Sequence, residues 1–419
     1  MNNNTVTETI CIDIEKLNTI EDIEKEIEAK TRQAAKELMR KIFSKKEEKI
    51  FKEQKLTKKQ KVQRYLYTIF GPVRFNRYKA KNRHGKISYA LDRALGIENQ
   101  SSFSPGLQQR IIFLCTMYPY RQAKDILSYE ISAQIDHRAL WRLVQKKGIK
   151  LRQEDLNEIE SLYRDAKPVE SNACSHETIV LEVDGTGISS KEGKGNWMEA
   201  KLAIIYTGKS LESKNSKVAR YSLTNKTVFA TLADSDSFGK AVSYLAEKKY
   251  QLSKAKNVIL LSDGDPWIKK LHTGYMPYSI HQCDHYHLKK KLKQVYNRYP
   301  ALLNNFLELI AARKHYKLPY LIKMSKLRGI ISDEDEEMLV SYIEANMDNI
   351  WAIDSLKDSI PKELKKVGSG AVEKNIDIAI ARRFKLRGMS WSKEGASNLL
   401  ALRLLYLNKD FESCFNMVA

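Results

Sequence analysis

Two apolar runs in the chain end in acid. Residues 177–183 lead into Asp184-Gly185, and residues 257–262 lead into Asp263-Gly264-Asp265. Open α/β sheets place their chemistry at the carboxyl ends of apolar strands, and a following glycine lets the backbone turn away. Carboxylates are the hard oxygen ligands that Mg²⁺ takes while keeping room for water and phosphate oxygens. Two such ions roughly 3.5–4 Å apart activate an attacking oxygen and stabilise a leaving one in phosphodiester displacement. Two acids hold such a site poorly, so a third is needed. Glu394, at the start of the last helical stretch with Ser392 as its cap, is the candidate. The same residues have plainer readings: a first-turn Glu is favoured by the helix dipole, and Asp-Gly turns are common after strands.

A second group is His281, Cys283, Asp284, His285 and His287. On one extended strand, 281, 283, 285 and 287 would share a face, which suits zinc. A strand-to-helix switch at Asp284 breaks that face and sets Asp284 beside His287 instead, three residues apart on a helix. Trp391 precedes Glu394 closely enough to stack on an unpaired base, or simply to pack the helix against a sheet. Lys289, Lys290, Lys291 and Lys293, with Arg382, Arg383, Lys385 and Arg387, flank these acids and suit phosphate contacts. Binding through them would weaken with salt, at a slope of about −0.9 per phosphate neutralised.

These residues need elements to position them. Residues 15–65 read as helix, with Ile20, Ile23, Ile27, Ala34, Leu38 and Ile42 at helical spacing and ten Lys/Arg against three Glu from Lys41 to Arg64. From Val73 the pattern alternates, with Arg83-His84-Gly85 as the turn of a hairpin. Arg74, Arg77 and Lys79 lie there among Phe75, Tyr78 and Tyr89, a mixture that can hold a sugar-phosphate backbone. Residues 105–148 predict three short helices, opened by Pro105 and Pro119 and closed by Gly148. The third carries His137, Arg138, Arg142, Lys146 and Lys147, so the unit resembles a helix-turn-helix with a basic recognition helix.

After a helical spacer, three strands (from 177, 200 and 227), an amphipathic helix from Ser237, and strands from Asn257 and Tyr278 follow in order. That order matches an RNase H-like mixed sheet. Residues 300–370 read as helical throughout, with Pro300, Pro319 and Pro361 as breaks, and residues 390–411 as a last helix. The fold expected is α/β: an RNase H-like catalytic core with a helical insertion, preceded by a mostly helical DNA-binding region. The boundaries are 1–70 (basic helical region), 71–166 (hairpin and helix-turn-helix-like unit), 167–299 (first part of the core), 300–380 (insertion) and 381–419 (final catalytic helix).

The order Asp184-Gly, Ser262-Asp263-Gly-x-Pro-Trp-Ile-Lys, Cys283-Asp284-His-Tyr-His287-Leu and Arg387-Gly-Met-Ser-Trp-Ser-Lys-Glu394-Gly-Ala resembles the ISLre group of bacterial insertion-sequence transposases, which also appears as an uncharacterised protein family. The resemblance covers most of the chain, including the basic hairpin after Gly71 and the segment Leu91–Ile97. The string Arg387–Gly395 is its most specific part. It implies an Asp-Asp-Glu transposase: Asp184, Asp263 and Glu394 as first, second and third acid, spaced by 79 and 131 residues, binding Mg²⁺ (with Mn²⁺ substituting) as two ions. The long second spacing accommodates residues 300–370 as the insertion. Asp265 stands where that family prefers a small residue, which makes it a neighbour of the site. Asp284 and His287 take the place of an Asp-x-x-His or Cys-x-x-His signature in related transposases and would brace the site or touch the DNA end.

Composition fits this reading. Of 419 residues, 72 are Lys or Arg and 51 Asp or Glu, a formal charge of +21 with pI ≈ 9.5, which favours a polyanionic partner. With 42% hydrophobic residues the chain is not a disordered polyelectrolyte. Its five scattered cysteines, with no C-x-x-C pair, fit a reducing compartment and exclude a disulfide scaffold. No run approaches 18 apolar residues, and the N-terminus lacks the features of a secretory signal, so the expectation is a cytoplasmic, nucleoid-associated protein without a membrane segment. The partners expected are double-stranded DNA, as element ends and target, and a second copy of the chain, because joining two ends calls for at least a dimer. Two alternatives remain: a metal-dependent nuclease or resolvase of the same fold, and a truncated, non-catalytic DNA-binding copy, since the chain stops 25 residues after Glu394.

Overall fold

The computed structural model describes residues 5–411 except 16, 82–84, 86, 194, 214–219, 357–358 and 366–369, and of Ser213, Arg220 and Arg387 it describes the backbone alone. The chain forms two compact units, one reaching to Lys146 and including Phe411, the other running from Lys147 to Asp410.

The first unit opens with α1 (Ile20–Glu53), started by a capping box between Thr19 and Asp22. The helix expected to reach residue 65 stops twelve residues earlier. Lys55 takes a left-handed conformation (φ 48), and β1 (Thr57–Thr68) begins. Pairing explains the difference: β1 lies antiparallel to β2 (Gly71–Lys81), with Arg64, Leu66 and Thr68 turned inward opposite Phe75, Val73 and Gly71. Lysines are compatible with either period, so residues 55–61 do not reveal the switch. The expected hairpin partner survives as the two-residue β3 (Ile87–Ser88), paired with Ala80 and Lys81, whereas the turn at Arg83 and His84 lies outside the described residues. Phe43, Leu66, Val73, Phe75, Leu91 and Ile97 form the core, the last two from or beside α2 (Ala90–Ala94).

Three helices follow: α3 (Pro105–Met117), α4 (Tyr120–Glu130) and α5 (His137–Tyr163). Gly148 does not end α5. It is buried because the Asn398 backbone packs on it; a Cβ there would meet the Asn398 carbonyl oxygen at 2.4 Å. The glycine serves a close helix approach rather than a stop.

The second unit is built on a five-stranded mixed sheet. Its strands are β4 (Thr178–Ser189), β5 (Trp197–Tyr206), β8 (Thr227–Thr231), β9 (Asn257–Ser262) and β10 (Ile280–Cys283), in the order β8-β5-β4-β9-β10. The β4–β5 and β5–β8 pairs are antiparallel; β4–β9 and β9–β10 are parallel. The sequence reading missed a separate ribbon, β6 (Gly208–Ser213) with β7 (Arg220–Thr224).

One face of the sheet carries Ile179, Leu181, Val183, Ala203, Ile205, Val258 and Leu260. It is covered by α6 (Ser235–Tyr250) and α7 (Pro266–Tyr275), through Phe238, Val242, Ile268 and Leu271. By strand alternation Glu182 and Asp184 belong to the other face.

Beyond β10 come α8 (His285–Tyr296), α9 (Pro300–Ala311), α10 (Leu318–Leu327) and α11 (Asp333–Ala345), which share their own apolar cluster. Residues 347–349, 352–356 and 362–364 form short 3₁₀ turns, where longer helix broken at Pro361 was expected. The chain then forms α12 (Gly370–Ile376), a π-helical stretch Asp377–Lys385 and α13 (Lys393–Leu407).

Candidate active site

The parallel register of β4 and β9 pairs Glu182 with Leu261. Continued by two residues, it sets Asp184 level with Asp263 on adjacent strands about 4.8 Å apart. The β9–β10 register, Cys283 with Ser262, extends the row to Asp284. Asp184 does not end its strand as expected: β4 runs on to Ser189, but its partner β9 stops at Ser262, so the sheet opens at this level.

Asp184 accepts the Gly185 N–H at 2.6 Å. Asp263 accepts the Asp265 N–H at 3.1 Å, and the Asp263 carbonyl accepts the Tyr342 hydroxyl at 2.6 Å. Between them, Gly264 has φ +85, and a Cβ there would meet the Asn346 amide at 2.6 Å, so the turn after β9 requires glycine. Asp265 is exposed and starts α7.

Burial raises the Asp184 pKa to about 6; the Asp263 charge adds to it, and the Gly185 bond and His287 oppose it. Burial also raises Asp263, with the charge of Asp265 adding and His287 and Lys291 opposing. Two half-buried, mutually repelling carboxylates are a hard-oxygen donor set that a divalent cation would relieve. They fit Mg²⁺ as two of its ligands.

Glu373 was not anticipated. It lies on α12, its charge raises Asp184 further, and its Oε1 is 3.5 Å from His287 Nε2. Glu182 holds this helix: fully buried, it accepts the Tyr206 hydroxyl at 2.8 Å and the Val372 N–H at 3.0 Å. Glu373 sits in a charged stretch with no distinguishing pattern, and only the tertiary fold brings it to Asp184.

Glu394 stands apart. It is exposed in the first turn of α13, whose cap is the Ser392 hydroxyl accepting the Gly395 N–H at 3.2 Å. The preceding Trp391 bridges to Ser190, and its N–H donates to the Ser189 carbonyl at 3.0 Å. Those residues are five and six positions beyond Asp184, roughly 17–20 Å of extended strand. Among the described residues, no three His, Cys, Asp or Glu side chains gather closely enough to hold a metal ion, so the structure joins Asp184 with Asp263 but not with Glu394.

Trp391 is half-buried. Its indole N–H donates to the Phe384 carbonyl at 3.0 Å, its ring packs 5.1 Å from Phe384, and Arg383 lies 5.1 Å over it. It packs this segment rather than presenting a free stacking face.

The strand-to-helix switch falls at Asp284, which caps α8 by accepting the Tyr286 N–H at 2.8 Å. The other members of that cluster have their own partners. His281 bonds the Ser262 hydroxyl at 2.8 Å and, chiefly through burial, has its pKa lowered to about 4. Cys283 lies 3.3 Å from the Tyr342 hydroxyl, and His285 bonds the Ile350 carbonyl. This arrangement leaves no shared zinc face.

Of the expected DNA contacts, Lys289 and Lys290 are exposed on α8, and Arg138 and Arg142 on α5. Arg74 is exposed on β2, and Lys79 bonds Gln60 at 3.1 Å. Lys146 is paired with Glu98 at 2.6 Å. Arg77 is a correction. It is buried, pairs with Asp92 together with Arg64, and stacks 3.6 Å over Tyr89, so it supports the hairpin from inside and does not face a phosphate. The side chain of Arg387 lies outside the described residues.

The profile of the uncharacterised protein family UPF0236 matches residues 14–412, and the chain belongs to that family. A UPF0236 protein encoded in the vanSb 3′ region of Streptococcus gallolyticus is 21% identical over 353 residues, covering 83% of this chain and 74% of the relative. A solved structure, the Drosophila P element transposase strand transfer complex, aligns with 76% of this chain and 95% of its own at 11% identity and a TM-score of 0.37. Among the described residues, no helix is long and apolar enough to cross a membrane.

Proposed function

We propose that this member of UPF0236 is a transposase of a bacterial insertion sequence, which cuts element ends and joins them to target DNA at an Asp-Asp-Glu type site. The observation that carries this reading is the level placement of Asp184 and Asp263 where β9 ends beside β4. A sheet of three antiparallel strands, β8-β5-β4, continued on the β4 side by the two parallel strands β9 and β10, supports an RNase H-like core.

When bound there, Mg²⁺ or Mn²⁺ supplies Lewis-acid stabilisation of the attacking and leaving oxygens in both in-line displacements. The chain's own groups do the rest. Asp184 and Asp263 lose their protons to become ligands, His287 stands beside both, and Lys289 and Lys290 on α8 track phosphates. Glu394 is the third carboxylate, which on this reading moves toward the Asp pair when DNA binds; Glu373 is the competing candidate because it already lies beside His287. The helix-turn-helix-like unit and the β1–β2 ribbon bind duplex ends, and two copies act together.

The separation of Glu394 from the Asp pair favours a second reading, a protein that binds DNA without joining it. Purified protein, Mg²⁺ and labelled DNA from the borders of its own gene separate the two. The transposase reading expects joined products that Asp184→Asn abolishes while DNA binding persists; binding with no cleavage by the wild type supports the second.

A further inference from the structure

The β1–β2 ribbon has two faces of opposite chemistry. Its 23 residues contain eight Lys or Arg (Lys58, Lys59, Lys61, Arg64, Arg74, Arg77, Lys79, Lys81) and no Asp or Glu. The inward face is apolar around Leu66, Val73 and Phe75, and its two arginines, Arg64 and Arg77, both pair with buried Asp92. The remaining cations are therefore left to the outer face and the ribbon's open end.

On that outer face the register aligns Lys61 with Tyr78, Gln63 with Asn76 and Tyr65 with Arg74. Lys61, Gln63, Tyr65, Arg74 and Asn76 are all exposed, and the Arg74 guanidinium lies 5.6 Å over the Tyr65 ring. Two primary amides side by side, with the Tyr65-stacked guanidinium next along the same row, present hydrogen-bonding groups on this exposed face.

We propose that this outer face reads the major groove of duplex DNA, with Gln63 and Asn76 on base edges, Arg74 beside them, and Lys58, Lys59 and Lys61 on phosphates. The major groove admits a two-stranded ribbon. Gln and Asn suit the N6/N7 edge of adenine and Arg the O6/N7 edge of guanine, which is the chemistry this row offers. The face is already held rigid by the core behind it, so little ordering is needed on binding. The inference rests on the DNA-binding reading above and adds which surface carries sequence preference.

The test uses the full chain with fluorescent duplexes: one of random sequence, one enriched by repeated selection on the wild-type protein, and a single strand of the same length. Gln63→Ala/Asn76→Ala is expected to lose roughly tenfold or more in preference for the enriched duplex while keeping its affinity for random duplex. Lys61→Ala is expected to weaken both duplexes alike and to lower the salt slope by about one contact. Unchanged melting temperatures establish that both variants fold. Retained preference in the amide variant, with an unchanged salt slope in Lys61→Ala, overturns the proposal even if the wild type binds DNA well. So does a loss confined to the single strand. A wild type that binds no duplex overturns the DNA-binding reading itself.

Discussion

Asp184 on β4 stands level with Asp263 at the end of β9, and after burial it is the neighbouring carboxylate that most strongly keeps Asp184 protonated, up to about pH 6. The pair is a destabilised arrangement that the fold nonetheless holds in place, with Gly264 turning the chain under Asn346 and Tyr342 bonding the Asp263 carbonyl. Perturbed carboxylates in an opened sheet mark a functional site more often than a structural one.

That relationship sets a pH dependence. A carboxyl whose folded pKa lies above its unfolded value contributes stability below the unfolded pKa, near 4, and loses it as pH rises through about 6. In EDTA the wild type should therefore melt lower at pH 7 than at pH 4.5 by more than Asp184→Asn does, a difference that paired calorimetry measures. Conversely, Mn²⁺ affinity should fall as pH drops below about 6, because protons compete for the same oxygens.

The third carboxylate can be assigned by comparing Glu373→Gln with Glu394→Gln. If Glu394 completes the site on DNA, Glu394→Gln should lose at least a hundredfold in end cleavage with DNA affinity unchanged, and Glu373→Gln should lose less than tenfold, on the scale of single groups acting in the transition state. The reverse ranking would move the role to Glu373, the acid beside His287.

Asp92 holds the ribbon's interior. Asp92→Asn removes the carboxylate that pairs with both buried Arg64 and Arg77, so thermal unfolding should show the first unit destabilised by about 3–5 kcal/mol. Mn²⁺ binding should survive in the variant, because the metal candidates lie in the other unit.

The strands carrying the acids were legible because Ile179–Val183 and Val258–Leu261 are apolar runs ending at glycine-flanked aspartates. The strand-to-helix switch at Asp284 was legible because a short apolar run gives way there to a helical pattern. What escaped had no local signal. Lysines hid the change from helix to strand at Lys55, and Gly148 has the form of a helix stop although it is a packing contact with Asn398. Arg77 reads like its exposed neighbour Arg74, yet the pleat and Asp92 turn it inward. Glu373 reaches the site on α12, whose Val372 N–H is held by Glu182, 190 residues before Val372 in sequence.

The most direct test of the central claim is Mn²⁺ titration of the purified chain at pH 7.5, followed by electron paramagnetic resonance, for the wild type, Asp184→Asn and Asp263→Asn. Saturable binding in the wild type, lost in each variant and accompanied by loss of joined DNA products, is the predicted result. Undiminished Mn²⁺ binding or strand joining in either variant would contradict the assignment of Asp184 and Asp263 as the metal-binding pair.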